Sequence, residues 1–410
     1  MAGAFRDLPY MGVIFVVVEA MKLGYSQVDP TWTNLGQGQP EVGPIEGAPK
    51  RYPEIPVLPN DYAYGPVEGL PELRDAVAQH YNRLYRRGMG SQYSAENVVI
   101  SAGGRTMLSR IFAALNDVRL GYFTPDYTAY EDLFTSFLRA TAIHIPLSPE
   151  NGWEIDPLEL EETINNEKLD ALLISNPCNP TGRVIKGDEL GAWVSLSRKL
   201  GTTLLLDEYY SHFIHGGHAG VSSAEYVNDI EKDNVVIIDG LTKNFRYPGW
   251  RLGWAVAPKA LVKNITAAGS FIDGGPPRPI QRAAIEILEP KRADQELNAL
   301  RAAFLIKRDL TVKRLKNLGV TFPREPESTF YAFGSVAGLS AKLNDGMKFF
   351  REALNYKALT VPGEFFDVNP NKLRKGPSPL RQYVRFSYGP PLKNLELGLD
   401  NLERMIKANC

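Results

Sequence analysis

The sequence predicts an α/β protein: a large domain built on a mostly parallel sheet flanked by helices, followed by a smaller α+β domain. Three observations carry this. From about residue 95, short β-branched or apolar runs alternate with longer amphipathic segments, the alternation of strand and helix that builds a parallel sheet. Several of the short runs are apolar throughout, as strands covered on both faces must be. After about residue 288 the pattern changes to one long charged segment, then a few strands and a closing amphipathic run.

Taken in order, the Pro- and Gly-rich stretch from Leu35 to Pro71 reads as irregular chain. Residues 1–60 are therefore expected to wrap the large domain and contribute to the small one. Residues 61–288 make the large domain. Its strands are "NVVIS" (97–101), "LGYFT" (120–124), "AIHIPL" (142–147), "ALLISN" (171–176), "TTLLLDE" (202–208), "NVVIID" (234–239) and "LGWAVAP" (252–258). The segments 105–117, 157–168 and 187–200 have the length and periodicity of helices. Residues 289–410 make the small domain. It opens on "EPKRADQELNALRAAFLIKRDLTVKRLKNLG", read as one long helix bridging the domains. "TFYAFG", "ALTVPG" and "QYVRFSYG" follow as strands, and "LKNLELGLDNLERMIKAN" closes the chain as a helix.

Composition narrows the function classes. A length of 410 residues suits two domains. A formal net charge of −1 without any block of like charges gives neither nucleic acid nor an anionic membrane the basic footprint it needs. The two cysteines, Cys178 and Cys410, lie far apart and show no metal spacing. They argue against a disulfide framework and suit a reducing compartment, with the cytoplasm as the expectation. The run "MGVIFVVV" (Met11 to Val18) is too short to cross a bilayer. With Arg6 before it, it faintly resembles a signal peptide, but no clean small-residue cleavage site follows. It is expected to be a helix or segment lining something apolar.

In open α/β sheets ligands bind at the carboxyl ends of the strands. Those ends carry Gly103-Gly104-Arg105, Pro125-Asp126-Tyr127, Asn176 to Asn179, Asp207 with Tyr210, and Lys243. Two glycines before a helix let backbone amides approach an anion, and the helix N-terminus favours negative charge. Arg251, eight residues after Lys243, supplies a permanent bidentate clamp for phosphate. Lys243 becomes a nucleophilic amine when burial or neighbouring cations lower its pKa. Asp207, after three leucines, is a carboxylate that must find a cationic partner. An aromatic ring, an anion cradle, a buried carboxylate, a phenol and a reactive lysine together suit pyridoxal 5'-phosphate.

At these residues the chain resembles the class I/II aminotransferases, the aspartate-aminotransferase-like pyridoxal-phosphate enzymes of fold type I. "YGPVEGLPELRDAVA", "NPCNPTG", "DEYY" and "TKNFRYPGWRLGW" carry the likeness, which runs from "NLGQGQP" to "YVRFSYG" in family order. The resemblance implies that Lys243 holds the cofactor as a Schiff base and moves the proton at the substrate α-carbon. It implies that Asp207 keeps the ring nitrogen protonated, that Tyr210 and Asn179 bond the phenolic oxygen, and that Tyr127 stacks on the ring. Gly104, Arg105 and Arg251 would hold the phosphate. Tyr64 would reach the phosphate of a neighbouring subunit in a homodimer with shared sites. Arg385, helped by the backbone at Gly38, would bind the α-carboxylate of an amino acid or 2-oxo acid. No metal is implied.

Two departures qualify the likeness. Relatives place a serine or threonine three residues before the lysine, against the phosphate; here Gly240 stands there. Arg105, Thr106 or Arg278 are the expected substitutes, and Arg278 falls in a segment the family uses across its dimer interface. The stretch around Ser270 lacks the arginine by which dicarboxylate-specific relatives select aspartate, and the apolar "VIFVVV" suits an uncharged side chain. Side-chain choice is expected from loops at 10–20, 270–279 and 360–367. Besides transamination, elimination, cyclisation, decarboxylation or oxidation of an amino acid in specialised biosynthesis stays open on the same residues. His212, His215 and His218 are expected in a solvated or lid loop, and Cys178 as a packed small residue.

Overall fold

The computed structural model describes residues 3–4, 8–217 and 220–409. His218, Arg6 and Cys410 lie outside the described residues. In chain order the helices are α1 (Gly12–Lys22), α2 (Pro71–Tyr85), α3 (Gly104–Ala114), α4 (Ala129–Ser136), α5 (Pro157–Glu167), α6 (Gly187–Leu200), α7 (Lys259–Ile272), α8 (Arg278–Ile287), α9 (Pro290–Asn317), α10 (Gly346–Asn355) and α11 (Leu392–Ala408). The strands are β1 (Thr33–Asn34), β2 (Val98–Ser101), β3 (Val118–Thr124), β4 (Ala140–Pro146), β5 (Ala171–Ser175), β6 (Thr203–Asp207), β7 (Val235–Gly240), β8 (Gly253–Val256), β9 (Tyr331–Ser335), β10 (Ala358–Leu359), β11 (Val361–Pro362) and β12 (Tyr383–Ser387).

A seven-stranded sheet runs in the order β2-β8-β7-β6-β5-β3-β4. Its pairs from β7 through β4 are parallel, and β8 alone runs against its neighbours β7 and β2. Leu204, Leu205 and Leu206 of β6 are all buried, so the leucine run sits between two covering layers, as a continuous apolar strand requires. The helices are delimited by local chemistry. Asp156 caps α5, its side chain accepting from the Leu158 N–H, with Pro157 in the first turn. Asp188 and Glu189 open α6, Arg198 and Lys199 close it, and Gly201 ends it in the left-handed region at φ 74°.

A second, antiparallel sheet of order β11-β12-β9 lies in the C-terminal part. The segment "ALTVPG", expected as one strand, is broken at Thr360. Its first half, β10, pairs parallel with β1, and its second half, β11, pairs antiparallel with β12. The N-terminal chain takes the edge that a continuous strand would have kept. Helix α9 has 28 residues and spans roughly 42 Å at 1.5 Å per residue. Its Leu300, Phe304 and Leu315 join Phe330, Leu399 and Leu402 in one core. The run "MGVIFVVV" enters α1, whose Val16 and Ala20 are buried one turn apart against Phe350, Leu354 and Val361. Among the described residues no helix is long and apolar enough to cross a membrane.

Candidate active site

The carboxyl ends of β5, β6 and β7, the N-terminus of α3, helix α1 and strand β12 surround a cavity of about 760 Å³. Of the eleven residues singled out above, ten line it: Gly38, Gly104, Arg105, Tyr127, Asn179, Asp207, Tyr210, Lys243, Arg251 and Arg385. The eleventh, Tyr64, is 94% exposed and lies outside. Arg278 lies outside with it, donating from Nη2 to the Tyr64 carbonyl at 2.8 Å.

Lys243 follows β7 and reaches in, its Nζ donating to the carbonyl of Gly38. Burial first, then Arg385, Arg105 and Arg251, hold its amine down to about 7, while Asp207 acts the other way. A large share of this lysine is therefore neutral near pH 7, as a nucleophilic amine must be. Asp207 ends β6 and is buried. The Tyr130 hydroxyl donates to its Oδ2 at 3.0 Å, yet burial still pushes its carboxyl up to about 6.

At one end of the cavity, Gly103 takes φ 95° and starts α3 with its first amides free to face inward. A Cβ at Gly103 would stand 2.5 Å from Arg251 Nη2, so the missing side chain is what lets the guanidinium close on the helix end. Arg251 also donates to the Pro248 carbonyl at 3.0 Å, and Arg105 Nε to the Tyr127 hydroxyl at 3.0 Å. At the other end Arg385, on β12, is 2% exposed. Its Nη1 donates to Asn179 Oδ1 at 2.8 Å and its Nη2 to the Gly36 carbonyl at 3.0 Å, over the Tyr331 ring at 4.0 Å. No carboxylate among the described residues pairs with Arg385, Arg251 or Arg105. Between the two ends the hydroxyls of Tyr210 and Tyr331 meet at 3.1 Å.

Four cations and one carboxylate therefore face the same space. A buried guanidinium without an anionic partner costs free energy, which is the state of Arg385, whereas Arg251 and Arg105 at the other end are exposed to the open cavity. The arrangement is suited to two anions, with a nucleophilic amine in the same cavity.

The family model for "Aminotransferase class I and II" matches residues 30–396. The chain belongs to the class I and II aminotransferases. It is 28% identical over 384 residues to the aspartate aminotransferase of Pyrococcus horikoshii, an alignment covering 92% of this chain and 90% of that one. It is 27% identical to human kynurenine–oxoglutarate transaminase 3, over 96% and 87% of the two chains. In fold it superposes on Thermus thermophilus aspartate aminotransferase with maleate at a TM-score of 0.79 and 23% identity, covering 98% of this chain and all of that one. The aminotransferase family membership and the fold type I architecture agree with the sequence reading.

Other readings of the sequence need correction. His212 and His215 are not solvated: they are 2% and 7% exposed. His212 packs between the rings of His80 and Phe245, and His215 Nε2 bonds the Tyr388 hydroxyl at 3.0 Å. Aromatic neighbours bury this loop, and burial holds His215 down to about 3. Thr106, an expected phosphate donor, turns its hydroxyl back to the Ala102 carbonyl at 3.3 Å. Residues near 14 and 366 do line the cavity, whereas no residue from 270–279 does. Tyr209, Thr242 and Tyr331 line it without having been singled out. Tyr209 stood in the quoted "DEYY" and Thr242 in the quoted "TKNF", so their proximity to Tyr210 and Lys243 was the available signal. Burial pushes the Cys178 thiol up to about 12, which makes it a poor nucleophile.

Proposed function

We propose that this chain is a pyridoxal-5'-phosphate-dependent aminotransferase that moves an amino group between an amino acid with an uncharged side chain and a 2-oxo acid. One observation carries it: a Lys243 amine held down to about 7 shares one cavity with Arg251 and Arg385, neither paired with a carboxylate, and with the buried Asp207. The residues fit the cofactor. Asp207 forms no ion pair and feels Lys243 only as its weakest influence, and a protonated ring nitrogen supplies a direct cationic partner. The Gly103 cradle with Arg251 suits a phosphate.

When bound, the cofactor supplies an electron sink for the pair left as the substrate α-proton departs. Lys243 would hold it through the amine and afterwards carry that proton at the α-carbon. Asp207 would keep the proton on the ring nitrogen. Tyr127 would lie against the ring, and Tyr210 with Asn179 would bond its phenolic oxygen. The Gly104 and Arg105 amides and Arg251 would take the phosphate. Arg385 would clamp the substrate carboxylate, with the Gly38 backbone beside it.

We assign residues 1–60, 61–288 and 289–410 as wrapping segment, large domain and small domain. Tyr64 and Arg278, joined and outside this chain's own cavity, are suited to complete the site of a second copy, giving a homodimer. The cytoplasm remains the proposed compartment. The preference for an uncharged side chain rests on Val13, Ile14 and Val17, the apolar side chains that α1 presents to the cavity.

Absorption spectra of the purified protein, taken with single amino acids and no 2-oxo acid, test this reading. A visible band that bleaches and returns with a 2-oxo acid supports transamination and names the donor. Release of ammonia, carbon dioxide or peroxide instead would point to elimination, decarboxylation or oxidation.

A further inference from the structure

Gly240 leaves the phosphate end without the hydroxyl that the resemblance calls for, and the structure shows why no side chain stands there. Gly240 pairs with Gly253 across β7 and β8. A Cβ at Gly240 would lie 2.5 Å from the Leu252 carbonyl oxygen and 2.6 Å from the Gly253 Cα. The space above this glycine pair is taken by the phenol of Tyr209. A Cβ at Gly104 would lie 2.6 Å from the Tyr209 hydroxyl oxygen, one at Gly240 2.8 Å, and one at Gly253 closer still. The hydroxyl thus nests among three glycines, one of which begins α3.

Tyr209 is 7% exposed, and its hydroxyl has no hydrogen-bond partner although it is fully buried. An unpaired buried hydroxyl is costly to keep, so its retention calls for a ligand. Arg251, which closes on Gly103 at the same helix end, is the cation that acts on this phenol.

We infer that the Tyr209 hydroxyl donates to the cofactor phosphate, standing in for the hydroxyl that Gly240 lacks. The inference rests on the proposed cofactor. It differs from the substitutes expected from the sequence: Arg105 is engaged with Tyr127, Thr106 with Ala102, and Arg278 lies outside the cavity. The phenol keeps its proton, because burial raises its pKa well above the usual value, so it acts as a donor throughout the physiological range.

The test is Tyr209→Phe, which keeps the ring among the glycines and removes only the hydroxyl. Fluorescence titration of the apoenzyme with pyridoxal 5'-phosphate should show affinity weakened about tenfold or more, the loss of one hydrogen bond to a charged acceptor. Affinity for pyridoxal, which lacks the phosphate, should not change. The melting temperature of the apoenzyme should stay level or rise, since the lost hydroxyl had no partner; a purely structural role would lower it. Inorganic phosphate should raise the melting temperature of the wild-type apoenzyme more than that of the variant. Equal pyridoxal 5'-phosphate affinities would overturn the inference. So would a loss confined to Thr242→Val, whose hydroxyl also lines the cavity unpaired. A wild-type apoenzyme that binds no pyridoxal 5'-phosphate would instead overturn the proposed cofactor itself.

Discussion

The two walls of the cavity differ in how they are held. One is the carboxyl edge of the large sheet, where Asn179 and Asp207 are 3% and 6% exposed and bonded to neighbours. The other is α1, anchored by Val16 and Ala20 but presenting an Ile14 that is 49% exposed. The first wall carries charge and hydrogen bonds in fixed geometry; the second carries apolar surface on a helix with an uncapped N-terminus. Electrostatic preorganisation needs the first kind of support. Side-chain selection by contact tolerates the second. On the proposed function, chemistry falls to the sheet edge and selectivity to the helix.

Changes on the sheet wall should have the largest effects. Lys243→Ala should reduce transamination by at least about 10⁴-fold, measured by coupled assay, because it removes both the attachment point and the proton carrier. Retained turnover would break the division between the walls. Asp207→Asn should lower kcat by about 10²–10³-fold, since it removes the charge from a buried pair, and should leave the chain folded by circular dichroism. Arg385 faces that wall from β12 of the smaller sheet, and Arg385→Lys should raise KM for the amino acid about 30-fold or more, with a smaller change in kcat. Lysine brings charge but not the planar fork that Asn179 and Gly36 now orient.

The pH dependence sharpens the same comparison. Cofactor attachment to the apoenzyme requires the neutral Lys243 amine, which is depressed to about 7. Stopped-flow rates should fall about tenfold per unit below pH 7 and level off above it, rather than rising towards pH 10. Arg385→Gln removes the largest cationic cause, so the midpoint should move up. The smallest effects belong to α1. Ile14→Ala or Val17→Ala should shift relative kcat/KM among uncharged amino acids by about tenfold or less, with cofactor affinity unaltered in titration.

Legibility in the sequence followed the same boundary. The strand ends could be read because continuous apolar runs such as "TLLLD" stop at a charged residue, and the position of a sheet's carboxyl edge is general. That placed Asp207, Asn179 and Lys243 in one cavity before any contact was known. Contacts that depend on tertiary packing stayed hidden. His212 and His215 looked like loop histidines because nothing local signals the rings that cover them. Thr360 splits a predicted strand because β1, more than three hundred residues earlier, takes one half of it. Tyr209 is set apart from Tyr210 only by glycines at 104, 240 and 253 that converge in space. The β-branched run in α1 is helical because Val16 and Ala20 meet a groove at helical spacing, a tertiary override of propensity.

Attachment of the cofactor to one named lysine tests the central claim most directly. The holoenzyme is reduced with borohydride, digested, and its peptides are mapped by mass spectrometry. A phosphopyridoxyl group on the peptide carrying Lys243, and on no other lysine, is the predicted result. A modification elsewhere, or none in protein saturated with pyridoxal 5'-phosphate, would contradict it.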